Sequence, residues 1–119
     1  MDQEKKKYDL QDRTQRFSTR VRDFCLKLKK DIINIEYIRQ LIRSAGSVAA
    51  NYIEANENVS LADLRFRIKL CRKESKESNL WLRHVLVYED QMLDNEKSEL
   101  IKESKELERI FGAILKKLV

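Results

Sequence analysis

Proline is absent from this sequence, glycine occurs only twice (Gly46 and Gly112), and histidine once (His84). With both helix breakers this scarce over 119 residues, long helices joined by short turns are the simplest outcome. No apolar run approaches the ~20 residues that a membrane-spanning helix requires. The opening stretch MDQEKKKYDL is basic but leads into no apolar segment, so no signal peptide is expected. The two cysteines, Cys25 and Cys71, lie far apart and form no C-x-x-C pair. Both fall on or beside apolar helix faces, and buried free thiols in a reducing cytoplasm are the expected state. One histidine without a matching cysteine pair makes no zinc site. A glycine-rich phosphate loop, a nucleophile elbow and the repeated Glu-x-x-His of di-iron bundles are missing too. Glu74 and Glu77 stand three residues apart and could share a face as acid–base carboxylates. No nucleophile accompanies them, and an ion pair with Arg or Lys one turn away is the simpler use. The expectation is a protein that is not an enzyme and uses no cofactor or metal.

What the sequence does have is charge, in 38% of its residues, interleaved with apolar positions at regular spacing. That regularity argues against disorder, which needs low hydrophobicity as well as charge. The formal net charge is +5, and residues 1–33 and 59–88 carry +4 each. Such asymmetry suits a polyanionic partner. Apolar spacing of three and four predicts four helices. The first, about residues 10–30, buries Leu10, Phe17, Val21, Phe24 and Leu28, with Lys27, Lys29 and Lys30 at its C-terminal end. The second, about 35–56, is capped by Asn34 and carries Ile35, Ile38, Leu41, Ala45, Val48 and Tyr52. The third, about 61–88, opens on Ser60 with Asp63, a capping box with Asp in place of Glu. Its inner stripe is Leu64, Ile68, Cys71, Ser75, Ser78, Leu82 and Val85. The fourth, about 95–118, is capped by Asp94 or Asn95 and turns Leu100, Ser104, Leu107, Phe111, Ile114 and Leu118 inward. The expected architecture is all-α: one domain over residues 1–119, an antiparallel up-and-down four-helix bundle.

Two helices have more apolar or close-approach surface than one bundle uses. In the third, Phe66, Leu70, Trp81 and Tyr88 project beside the inner stripe, making the apolar arc wider than the roughly 100° that a bundle helix needs. Self-association would cover them; covering of the bundle edge and loops by the same aromatics is the alternative. In the second helix, the run Ser44 to Ala50 is small apart from Val48. Either another subunit's backbone approaches there, or the run serves tight packing inside one bundle. The polar side of the third helix aligns Arg65, Lys69, Arg72, Lys76 and Arg83 at spacings of four, three, four and seven. A looser row of Arg13, Arg16, Arg20 and Lys27 lines the first helix. The fourth carries Glu96, Glu99, Glu103 and Glu106. The cations could follow a phosphate backbone, meet the acidic row of a neighbouring subunit in a ring, or simply be solvated.

Three blocks carry a family resemblance: RSAGSVAANYIEAN, LRFRIKLCRKESKESNLWL and KESKELERIFGAILKKL. They resemble the four-helix bundle proteins also called the 23S rRNA intervening-sequence protein family. Arg43, Ser44, Ala45, Ser47, Asn51, Glu54 and Ala55 match that family's first block. Phe66, Lys69, Leu70, Lys73, Glu74, Glu77, Trp81 and Leu82 match its second. Leu64 stands where the family usually has Asp, and Ser75, Ser78 and Leu80 replace Ala, Thr and Tyr. The resemblance implies a bundle assembled as a homopentamer, similar in fold to the accessory variability protein of diversity-generating retroelements. That relative is a basic pentameric barrel that binds nucleic acid and a reverse transcriptase. By this resemblance the partners are further copies of the chain, RNA or DNA, and a reverse transcriptase or other protein client, with no membrane. The resemblance and the helix wheel together place Ser47, Ala50, Asn51 and Glu54 at a subunit interface, beside the aromatic surface of the third helix. The expected function is nucleic-acid or nucleoprotein binding through the basic faces; a protein–protein scaffold is the alternative.

Overall fold

Asp9, Asp31, Ser60 and Asp90 each place a side-chain oxygen over the free amides of a helix start. They accept from the amides of Asp12, Asn34, Asp63 and Leu93 at 2.9, 2.8, 3.0 and 3.0 Å. Each cap satisfies a donor that the first turn leaves unpaired. The helices so begun are α1 (Leu10–Leu26), α2 (Ile32–Asn56), α3 (Leu61–His84) and α4 (Gln91–Lys117). The computed structural model describes residues 9–118.

Around the bundle α1 packs on α2, α2 on α3, α3 on α4, and α4 back on α1, and across one diagonal Tyr52 of α2 reaches Phe111 of α4 through the core, ring centroids 6.2 Å apart. Partners run in opposite senses along each seam. Tyr37 meets Trp81 and Asn51 meets Arg67 between α2 and α3, so numbers rise on one helix as they fall on the other. This is the up-and-down antiparallel arrangement that the periodicity predicts. Its core is Phe17, Val21, Phe24, Leu41, Val48, Ile68, Leu82, Leu100, Leu107 and Phe111, each 2% exposed or less. Burial on this scale drives the collapse, at about 25 cal/mol per Å² of apolar surface.

Four helix limits differ from the predicted ones, each for a local reason. The first helix stops at Leu26, not near Lys30, and Leu28 drops into the core beyond it. Lys30 reaches back to the carbonyls of Cys25 and Leu26 at 2.7 and 2.9 Å, so a lysine still closes that terminus from outside. The second is capped by Asp31 and not by Asn34. Asn34 is fully buried, and its amide clasps the opposite connection. Its Nδ2 donates to the carbonyls of Leu86 and Lys29 at 2.9 and 3.0 Å, and its Oδ1 accepts from the Leu86 amide at 2.8 Å. The third helix ends at His84: Val85 turns extended and fills a buried site, with its carbonyl taken by Lys97 of α4 at 2.9 Å. Tyr88 therefore lies in the α3–α4 connection, in the left-handed conformation (φ 57°). Its hydroxyl donates to Asp31 and its ring lies under Lys29 Nζ at 5.3 Å. The Asn34 amide and the Tyr88 hydroxyl, in that order, hold the Asp31 carboxyl below its usual range. The fourth helix starts at Gln91, capped by Asp90 and not by Asp94 or Asn95.

Small side chains let α3 approach its neighbours. Ser78 donates to the Glu74 carbonyl at 2.8 Å and lies 3.0 Å from Ser44 Oγ on α2. Ser75 donates to the Cys71 carbonyl at 2.8 Å. On the other side Asn79 donates to Ser104 of α4 at 2.9 Å. Every one of these polar groups is buried with a partner, as low-dielectric packing requires. The small run of α2 is thus spent largely inside the chain: Ser44, Ala45, Val48 and Ala49 are buried and Gly46 faces Ser18 of α1.

Replacing Asn34 by Ala leaves the backbone groups of Leu86 and Lys29 unpaired and is expected to cost roughly 2–4 kcal/mol of unfolding free energy, read from urea denaturation. Cys25 and Cys71 are buried free thiols whose pKa burial pushes up to about 12. Both stay protonated at pH 8. The native chain is expected to leave a thiol-specific disulfide reagent unreacted, and the urea-unfolded chain to consume it at both positions.

Candidate nucleic-acid interface

Between α3 and α4 the bundle surface opens into a furrow. Lys69, Arg72, Lys73 and Lys76 come from α3; Lys105, Arg109 and Lys116 come from α4. Only two acids, Glu77 and Glu108, join this lining, with Gly112, Ala113 and Leu115 as its apolar part. Helical spacing explains the gathering. Positions 69, 72 and 76 recur every three or four residues along one side of α3, and 105, 109 and 116, spaced four and seven apart, share one side of α4. The Arg72 side chain packs over Gly112, its Nε at ordinary van der Waals distance, 3.9 Å, from a Cβ built there. Glu77 is already drawn toward α2 by Arg43 at 3.0 Å, and Arg109 has Glu106 beside it at 2.8 Å.

Of the five predicted α3 cations, Lys69, Arg72 and Lys76 share this furrow. Arg65 is half-buried at its end and donates to the Leu118 carbonyl at 2.8 Å, where it helps close α4. Arg83 is exposed eleven residues beyond Arg72, ~16 Å along the axis at 1.5 Å per residue. The first-helix arginines lie elsewhere, because α1 stands diagonally across the bundle from α3. Arg13 is held in a two-pronged pair with Glu103 of α4, at 2.8 and 2.9 Å; that bond raises the guanidinium pKa further. Lys27 pairs with Glu96 at 2.8 Å. The α1 basic row therefore meets part of the α4 acidic row within one chain. Arg16 and Arg20 occupy exposed positions of α1. Sequence reasoning missed Lys73 on α3 and, on α4, Lys105, Arg109 and Lys116. The α4 spacing of four and seven was visible, but the glutamates between those cations made α4 read as the acidic helix.

The predicted interface residues sit along the outer α2–α3 seam, apart from Tyr88. Ala50 and Glu54 are exposed and Ser47 is half-buried. Asn51 donates to the Ser47 carbonyl at 2.9 Å and accepts from Arg67 at 3.2 Å. Phe66 is 53% exposed beneath the Arg67 guanidinium, and Leu70 is half-buried. Trp81 finds a partner in its own chain, stacking on Tyr37 with centroids 6.0 Å apart, while His84 meets its edge. Glu74, expected to pair one turn away on its own helix, instead meets Arg43 of α2 at 3.5 Å. Buried Arg67 Nε, Glu74 Oε1 and Trp81 Nε1 have no hydrogen-bond partner among the described residues. They recur every seven residues in one line. Charge proximity and stacking hold this outer row, more than directed hydrogen bonds do.

The Arg13–Glu103 pair is half-shielded from solvent. A double-mutant cycle with Arg13→Ala and Glu103→Ala is expected to give a coupling of about 1 kcal/mol, shrinking in high salt.

Neither a family sequence profile nor a curated protein matches this chain. Among solved structures, the fold is similar to that of a protein of unknown function from the S23 ribosomal protein family of Bacteroides thetaiotaomicron. The two superpose with a TM-score of 0.75 at 23% identity, over 89% of this chain and 97% of the other. The shared property is the four-helix fold.

Proposed function

We propose that this chain is a non-catalytic, cytoplasmic helical bundle that binds nucleic acid through the furrow between α3 and α4. One observation carries the reading. The furrow lining holds seven cations against two carboxylates, an excess of five, and the net charge of the whole chain is also +5. The lining thus gathers on one face of the bundle a positive charge as large as that of the whole chain. Cations gathered this way release counterions from a phosphate backbone on contact. The structural neighbour's place in a ribosomal protein family points in the same direction.

Self-association, in the pentameric form that the sequence resemblance implies, accompanies this reading. It draws on the exposed Phe66, Ile42 and Ile53, at 53, 47 and 41%. The furrow's wall of α3 faces away from the Trp81 seam, so one subunit could do both. The alternative, a scaffold for a reverse transcriptase or other protein client, assigns the same cations to protein contacts.

Charge reversal separates the two. The double variant K69E/R72E is expected to weaken binding to structured RNA and to duplex DNA by tenfold or more at 50 mM salt, by fluorescence anisotropy, with its mass by light scattering unchanged. Loss of assembly in place of loss of binding would favour the scaffold. Absence of any nucleic-acid affinity in the unaltered chain at that salt would overturn the proposal.

A further inference from the structure

The geometry points to a ligand class: we infer that the furrow seats the sugar–phosphate ridge of a double-stranded nucleic acid, in preference to a single strand or a lone phosphate ligand. The inference rests on the nucleic-acid reading above and adds to it a second wall, that of α4.

The first ground is two-sidedness. Lys69, Arg72 and Lys76 line one bank and Lys105 and Lys116 the other, and none of the five has a carboxylate partner among the described residues. A ridge of phosphates lying between the banks is neutralised from both, whereas a flat face would reach it from one. The second ground is the floor. Gly112 and Ala113 add little side chain of their own, and the Arg72 side chain packs over Gly112, so a ridge lying between the banks meets a cation at the floor. The third is length. Lys105 and Lys116 are eleven residues apart, ~16 Å along the helix at 1.5 Å per residue. At 3.4 Å per phosphate along one strand, that is about five phosphates, far more than a lone phosphate ligand offers.

The preference for a duplex follows from what the banks are made of. Single strands are held by aromatic side chains on which bases stack, each worth about 1–3 kcal/mol. The residues that line the furrow are Lys, Arg, Glu, Gly, Ala and Leu, with no aromatic ring among them. Such a surface gains nothing from unpaired bases and pays their ordering entropy. A duplex arrives with its bases already stacked and its phosphates already in rows. Recognition is then by backbone and is independent of sequence. RNA and DNA duplexes share the chemistry, and the measurement distinguishes them.

Binding of the full chain to a labelled 20-base-pair DNA duplex, the matching RNA duplex and one 20-nucleotide strand of each, between 50 and 200 mM salt, tests this. A duplex is expected to bind at least tenfold tighter than its strand, with log K falling against log salt with a slope of about −4, as about five phosphates require. The variant K105E/K116E is expected to lose tenfold or more in duplex affinity with unchanged circular dichroism and thermal midpoint. The variant R39E/K117E, with the same charge change outside the furrow, is expected to lose less than threefold. Equal affinity for strand and duplex overturns the inference. So does wild-type duplex binding by K105E/K116E while K69E/R72E fails; that result leaves nucleic-acid binding on α3 standing and removes the α4 wall. Inorganic phosphate competing at millimolar concentration as effectively as the duplex's own phosphates would mark a lone-anion site and overturn it too. If no nucleic acid binds, the wider reading falls and this one with it.

Discussion

Everything on the surface of this protein depends on how closely α3 is held by its two neighbours. Cys71, Ser75 and Ser78 bring little bulk to α2, and Asn79 meets Ser104 on α4. An α3 lined by leucines at those positions would stand further off. The furrow would widen, and Arg72 would no longer rest across Gly112. Small buried polar groups are an uncertain route to stability, because each gains only when paired. Here each of them is paired, so close approach and polar satisfaction come from the same residues.

Charge is disposed by a second rule. Acids on α4 fall to two sides of that helix: Glu96 and Glu103 turn toward α1 and are met by Lys27 and Arg13. What remains on the α3 side of α4 is mostly basic. Arg13 and Lys27 thus screen Glu103 and Glu96, and these two acids do not offset the cations of the furrow. A surface can be made electropositive by spending its acids elsewhere, without any excess of lysine.

The bundle was readable from period alone, since Phe17, Val21, Leu41, Ile68, Leu100 and Phe111 recur at three and four and all are buried. Helix starts were less so. Asp31 and Asn34 are both good caps, as are Asp90, Asp94 and Asn95, and the choice between them is made by tertiary contact: Asn34 is recruited by Leu86, which lies 52 positions away. Part of the candidate site was legible, namely Lys69, Arg72 and Lys76 on α3. The α4 part was hidden because the role of a mixed-charge helix such as α4 depends on which neighbour claims its acids. The same blindness applied to Arg13, whose spacing matched a phosphate-binding row and whose partner, Glu103, is 90 residues off.

Trp81 is the chain's sole indole, and it lies on the far side of α3 from the furrow, against Tyr37 and His84. Its emission therefore reports on the seam where α2 meets α3. A ligand between α3 and α4 would leave that chromophore's surroundings in place. Indole emission from the native protein thus speaks for the α2–α3 packing, and a ligand on the basic side would have to be followed by its own signal.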